Sequence, residues 1–113
     1  MSGKIYIICS HGQAYFKIGF TKGSVKELLK RYKTYYGHNL SLVWFEIPHG
    51  VHACEKTIHN SLKQYRVDGE KYYLEHYQKI KQNIKQTLNQ EFKIDIMPVQ
   101  YKPVEPYMEW EPT

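Results

Sequence analysis

Lys4-Ile-Tyr6-Ile-Ile, a short break, and then Tyr15-Phe-Lys17-Ile18-Gly19-Phe-Thr21 are the stretches whose reading decides the fold. Both runs are rich in β-branched and aromatic residues and flank Ser10-His-Gly-Gln13, a pattern that predicts a β-hairpin. Each run carries one polar ring or ammonium group, Tyr6 on the first and Lys17 on the second. A hairpin brings such positions near one another. It also delivers the chain to Gly19, with room for a helix to start close behind.

Working outward, Thr21-Lys-Gly-Ser24 offers a helix cap, and the spacing of Val25, Leu28, Leu29, Tyr32 and Tyr36 predicts a helix over 25–36 that Gly37 stops. Residues 40–47 read as a third strand, broken by Pro48-His-Gly50. A second helix over about 51–65 has the stripe Val51, Cys54, Ile58, Leu62 and Tyr65. Val67-Asp-Gly69 is a turn, and Glu70-Lys-Tyr-Tyr-Leu74 is either a short strand or the approach to the next helix. That helix, about 76–89, buries Ile80, Ile84 and Leu88, and Phe92 to Met97 reads as an edge strand. The order β-β-α-β-α-(β)-α predicts an α+β fold: a small, mainly antiparallel three-stranded sheet flanked by helices.

Charge divides the chain. Residues 1–90 carry 14 Lys and Arg against 6 Asp and Glu, a net of +8, and residues 91–113 carry 2 against 5, a net of −3. The expectation is a basic domain over 1–90 that binds a polyanion, followed over 91–113 by an acidic, Pro-containing tail. No window approaches the ~20 apolar residues of a membrane span. Met1-Ser-Gly-Lys leads into a strand with no apolar signal segment, and Cys9 and Cys54 sit in apolar surroundings. These features predict a cytoplasmic protein with reduced cysteines, in host cytoplasm or nucleus if viral. Abundant Tyr, Lys and Ile fits an AT-rich genome such as a virus or phage.

The residues then fall in an order that resembles the GIY-YIG nuclease superfamily. Ile5-Tyr6 matches the first strand motif, Lys17-Ile18-Gly19 the second, Arg31 the helix arginine and Glu55 the acid of the second helix. The fit is closest to a branch of phages and large DNA viruses whose second motif reads K-I-G-aromatic-T. That branch ends in E-x-x-x-H, an arginine and G-E-aromatic, as Glu55, His59, Arg66 and Gly69-Glu70-Lys71-Tyr72 do here. The resemblance covers about residues 4 to 75.

What it implies is a metal-dependent endonuclease that hydrolyses or nicks DNA, less readily RNA. Glu55 would hold a single Mg²⁺ or Mn²⁺, since hard cations take carboxylate oxygen. Arg31 would grip phosphate through its fork of donors, and Tyr6 would position or deprotonate the water. Lys17 stands where most members have tyrosine; it would lower the Tyr6 pKa or bind the scissile phosphate. Tyr35, one turn past Arg31, would support the site, and His59 would act as acid–base partner or supporting group. Lys22, Lys26, Lys30, Lys33, Lys56 and Lys63 would hold the nucleic-acid backbone.

Each role has a plainer alternative. Glu55 can be a solvated helix acid, Tyr6 a core aromatic, Tyr35 a packing residue, and any single lysine a solvated cation. Arg31 can pair with Glu27 at i,i+4, worth only about 0.3–0.5 kcal/mol. His52, Glu55 and His59 share a helix face, but no third ligand at an evident spacing supports zinc. His11 reads as an exposed turn residue, and Glu70 as either a buttress of the site or the start of a strand. Two other functions compete with the nuclease: a catalytically weak or inactive nucleic-acid-binding module of the same fold, and a protein-interaction factor. The last is motivated by Tyr107-Met-Glu-Trp110-Glu, a segment suited to dock in a partner's groove or in the domain's own basic cleft.

Overall fold

A computed structural model describes residues 2–10, 12–37 and 39–101. The N-terminal hairpin pairs β1 (Gly3–Ser10) with β2 (Tyr15–Thr21), antiparallel, with Ile5 opposite Phe20 and Ile7 opposite Ile18. Helix α1 (Val25–Tyr36) follows, and its start explains itself chemically. The Ser24 hydroxyl accepts the Glu27 N–H, and the Glu27 carboxylate accepts the Ser24 N–H, a reciprocal capping box. Gly37, at φ +69°, ends the helix in a conformation that side chains resist.

Strand β3 (Leu40–Ile47) lies against the other edge of β1, so β1 is central and buried on both faces. Helix α2 (Val51–Ser61) is shorter than its apolar stripe suggests, because a 3-10 turn takes over at Lys63–Tyr65. Two short strands follow, β4 (Arg66–Asp68) and β5 (Lys71–Tyr73), joined by a turn in which Gly69 takes φ +51°. Residues 70–74 thus serve both readings in turn: β5 pairs with β2, then a 3-10 turn over Leu74–His76 leads into helix α3 (Tyr77–Phe92).

The α+β class holds, but the sheet has six strands rather than three, in the order β4-β5-β2-β1-β3-β6, antiparallel throughout. The expected edge strand over 92–97 does not form. Lys93 takes φ +59° and ends α3, Ile94 drops into the core, and the edge is supplied instead by β6 (Val99–Gln100).

The sheet is covered on both faces. One face, with Ile5, Ile7, Cys9, Phe16, Ile18 and Phe45, packs on Cys54, Ile58, Ile80 and Ile84 of α2 and α3. The other, with Tyr6, Ile8, Leu40 and Leu42, packs on Leu28 and Tyr32 of α1. Cys9 and Cys54 are buried thiols outside any disulfide. No helix among the described residues is long and apolar enough to cross a membrane.

Candidate functional site

The hairpin register sets Tyr6 opposite Gly19 and Ile8 opposite Lys17. Side chains alternate along a strand, so Tyr6 and Lys17 both meet α1 rather than the larger core. Tyr6 is 3% exposed, and its ring lies across the backbone of Gly19. A Cβ at Gly19 would stand 2.6 Å from the Tyr6 hydroxyl and 2.7 Å from Cζ. Glycine is therefore needed here for space, and its extended backbone conformation is open to any residue.

Tyr32 organises this side of the site. Its hydroxyl lies 3.0 Å from that of Tyr6 in a buried hydrogen bond, and the two rings meet edge to face at 5.9 Å. Arg31 Nη2 donates to the Tyr6 hydroxyl at 3.3 Å. The Arg31 guanidinium and the Lys17 ammonium both sit over the Tyr32 ring, at 5.2 and 5.5 Å from its centroid. The i,i+4 alternative for Arg31 is displaced, because Glu27 is engaged by Ser24.

Burial, followed by the hydrogen bond to Tyr32, drives the Tyr6 pKa well above the ordinary phenol range, and the Arg31 charge only partly opposes it. The Tyr6 phenol is consequently neutral in the resting protein and suited to donate a hydrogen bond. The expected lowering by Lys17 falls elsewhere: Lys17 acts on Tyr36, where burial again outweighs it and the pKa is raised.

Around the β2 edge the site continues onto the other layer. Lys17 Nζ lies 3.7 Å from Glu70 Oε1, and the Glu70 backbone carbonyl accepts the Ile18 N–H at 3.0 Å. The β4–β5 turn is thus fastened to β2 where the lysine needs a counter-charge. On α2, His59 Nε2 lies 2.9 Å from Glu55 Oε2, one helical turn apart, and Nδ1 is hydrogen-bonded to the Tyr72 hydroxyl. The Tyr72 pKa is pushed up to about 12, chiefly by burial.

Glu55, His59 and Glu70 offer ligand atoms that all lie within 4.8 Å of one another. His59 Nε2 is buried and, despite its closeness to Glu55, is not aligned for a hydrogen bond with any group. Two carboxylates and an imidazole nitrogen without a hydrogen-bond partner form a donor set that fits a divalent cation. From spacing alone, no third donor is evident beside Glu55 and His59. His52 stands apart from this group, packed edge to face against Phe20 at 5.2 Å. The third donor is Glu70, eleven residues beyond His59 and delivered by the hairpin turn.

The structure therefore joins Tyr6, Arg31 and Lys17 around Tyr32, and links Lys17 through Glu70 to Glu55 and His59. Tyr35 is 75% exposed, which removes core packing as its role. It lines a cavity of about 320 Å³ with Lys17, Arg31, Tyr32 and Tyr36. Lys56 and Lys63 line a second cavity of about 610 Å³ with Thr57, Asn60, Arg66 and His59, the neighbour of Glu55. Lys22, Lys26 and Lys30 are exposed along α1 and its approach, and Lys33 is half-buried in its last turn. These four line neither cavity.

Three contributors escaped sequence reasoning. Tyr32 falls within the apolar stripe of α1, and Tyr72 counts only as the motif aromatic in a segment that reads as a short strand or a helix entry. Arg66 counted only as a motif residue, although its place beside Lys56 and Lys63 marks a basic face. His11 and the segment Tyr107-Met-Glu-Trp110-Glu lie outside the described residues.

A family model described as the T5orf172 domain matches residues 3–89. A curated relative, the uncharacterized protein R10 of Acanthamoeba polyphaga mimivirus, is 28% identical over 95 residues that cover 80% of this chain and 25% of that protein. The chain thus spans about a quarter of the length of that relative. No solved structure matches.

Proposed function

The chain belongs to the T5orf172 domain family, a phage-associated domain related to GIY-YIG-like and HNH-like nucleases, and on that premise we propose that it is a GIY-YIG-type endonuclease that cuts DNA. The single observation that carries this reading is the continuous polar path from Arg31 and Tyr6 through Tyr32, Lys17 and Glu70 to Glu55 and His59. Acids and cations meet there beside a basic cavity large enough for a phosphate backbone.

Phosphodiester hydrolysis needs an oriented water, charge stabilisation on the phosphoryl group and a route for the leaving alkoxide. Arg31 and Lys17 supply fixed positive charge on one side of the path, and the Arg31 fork suits two phosphate oxygens. The neutral Tyr6 hydroxyl, held by Tyr32 and Arg31, positions a water or phosphate oxygen by donating to it. His59, tied at Nδ1 to Tyr72, presents Nε2 beside the Glu55 carboxylate. A divalent cation held at Glu55, Mg²⁺ or Mn²⁺, would supply Lewis acidity toward the phosphate oxygens. Lys56, Lys63 and Arg66 hold the strand without reading its sequence.

Incubation with supercoiled plasmid and Mg²⁺ or Mn²⁺ tests the proposal. The expected result is nicking that is lost in Arg31→Ala and Glu55→Ala; no cleavage, or cleavage indifferent to both substitutions, refutes it. A second reading, a binding module without turnover, is favoured by the neutral Tyr6 and by the pairing of Lys17 with Glu70, which withdraw both hairpin groups from proton abstraction. Salt-sensitive DNA binding without metal-dependent cleavage is its signature.

A further inference from the structure

We propose that Glu55, His59 and Glu70 together form a three-ligand cation centre, selective for first-row transition-series divalent ions such as Mn²⁺, Co²⁺ or Zn²⁺ over Mg²⁺. The inference rests on the nuclease reading for its cation at Glu55 and deepens it by naming two further ligands and the class of metal.

Distance is the first reason. Two ligand atoms in neighbouring positions around one small cation, each bonded at about 2.1 Å, stand ~3 Å apart. His59 Nε2 and Glu55 Oε2 stand 2.9 Å apart, without the alignment of a hydrogen bond. A charged His–Glu pair at that distance would be expected to align a proton between the atoms. Two donor atoms side by side at this spacing, without a proton aligned between them, suit a shared cation.

The second reason is what holds the imidazole. With Nε2 as ligand, Nδ1 carries the proton and donates to the Tyr72 hydroxyl, whose ring stacks on His59 at 5.8 Å. Metal-bound histidines are oriented in this way, by a partner on the second ring nitrogen that sets tautomer and direction. Tyr72 is itself buried and fixed in β5, opposite Phe16, so this support is rigid.

Glu70 closes the set from a different element. Its side chain is 46% exposed and sits on a turn, free to rotate the short distance that separates 4.8 Å from ligand spacing. One oxygen already faces Lys17 at 3.7 Å, so the carboxylate can bridge cation and ammonium and couple the two halves of the site. An imidazole ligand is what decides the metal. Mg²⁺ keeps its waters and takes carboxylate oxygen, whereas nitrogen donors favour transition ions in the order Mn²⁺, Co²⁺, with Zn²⁺ tighter than either.

The test is metal binding by the full chain, measured apart from cleavage. Calorimetric titration of the metal-free protein should give Zn²⁺ tighter than Mn²⁺, and Mn²⁺ at least about tenfold tighter than Mg²⁺. Pulsed electron paramagnetic resonance of the Mn²⁺-loaded chain should show coupling to an imidazole nitrogen. His59→Gln should abolish that coupling, and the exposed Glu70→Gln should keep it while weakening Mn²⁺ roughly tenfold. Absence of nitrogen coupling in the unsubstituted chain, or equal Mn²⁺ affinity after Glu70→Gln, overturns the centre. A centre with nitrogen coupling and no plasmid cleavage refutes the nuclease reading alone. Mg²⁺-supported cleavage without nitrogen coupling refutes the centre alone.

Discussion

Replacing Gly19 by alanine adds one methyl group, yet it strikes the site at its tightest point. The new Cβ would stand 2.6 Å from the Tyr6 hydroxyl and 2.7 Å from Cζ, well inside contact distance. Tyr6 is 3% exposed and tied at its hydroxyl by Tyr32 and Arg31, so the ring cannot swing away without breaking those bonds. Overpacking of this kind costs about 1–3 kcal/mol. Weakening the Tyr6–Tyr32 hydrogen bond adds about 1 kcal/mol. Alanine recovers about 0.5–1 kcal/mol of the entropy that glycine loses in a strand. The net is destabilisation by about 1–3 kcal/mol, or roughly 4–12 °C in Tm for a domain of this size. Thermal unfolding followed by circular dichroism measures it, with plasmid nicking as the second readout, which should fall with the displaced hydroxyl. The double-mutant cycle with Tyr6→Val isolates the cause: once the distal ring is gone, Gly19→Ala should have little further effect. A Gly19→Ala protein with unchanged Tm and unchanged nicking would show that Tyr6 does not occupy the space above Gly19. An equal penalty in the Tyr6→Val background would refute the steric account.

Tyr32→Phe removes a buried hydroxyl bonded to Tyr6 while keeping the ring, and should cost about 1 kcal/mol in chemical denaturation and lower nicking; unchanged activity would show that Tyr32 does not position Tyr6. Substituting Lys56, Lys63 and Arg66 by alanine together should weaken DNA binding uniformly across sequences and reduce the slope of log affinity against log salt by about 2–3; an unchanged slope places the backbone elsewhere. Alkaline titration gives a signed test of the buried phenols. Tyr6, Tyr72 and Tyr77 have pKa values raised mainly by burial, Tyr72 to about 12, so the fold favours their neutral forms. Their contribution is complete below the ordinary phenol value near pH 10 and is lost as pH rises toward and past 12. Tyrosinate absorbance and circular dichroism should therefore show part of the eleven tyrosines ionising only with cooperative unfolding. Smooth ionisation of all of them near pH 10 in the folded chain would contradict it.

Where strong periodicity runs for several turns, local pattern and final structure coincide, because burial of one face dominates the energetics. Helix α1 and strand β3 keep their sequence-read bounds, and the stripe Val51, Cys54, Ile58, Leu62 is buried throughout. Strands β4, β5 and β6 are two or three residues long, with β4 and β6 wholly exposed, so they carry no alternation to read. Strands β5 and β6 satisfy the edges that β2 and β3 present, and β4 in turn pairs with β5. The same edge pairing brings Glu70 to Lys17, a contact no spacing announces.

By itself, the sequence determined the class of fold, the hairpin that carries Tyr6 and Lys17, and the helices that carry Arg31 and Glu55, since each follows from short-range pattern. Tertiary structure alone decided what those residues do to one another. It made Tyr32 the organiser of Tyr6, kept the Tyr6 phenol neutral through burial, and turned Glu70 from a residue of a turn into the link between Lys17 and the Glu55–His59 pair. Those properties depend on desolvation and on contacts between distant elements, which arise only once the sheet edge and both helical layers have closed around them.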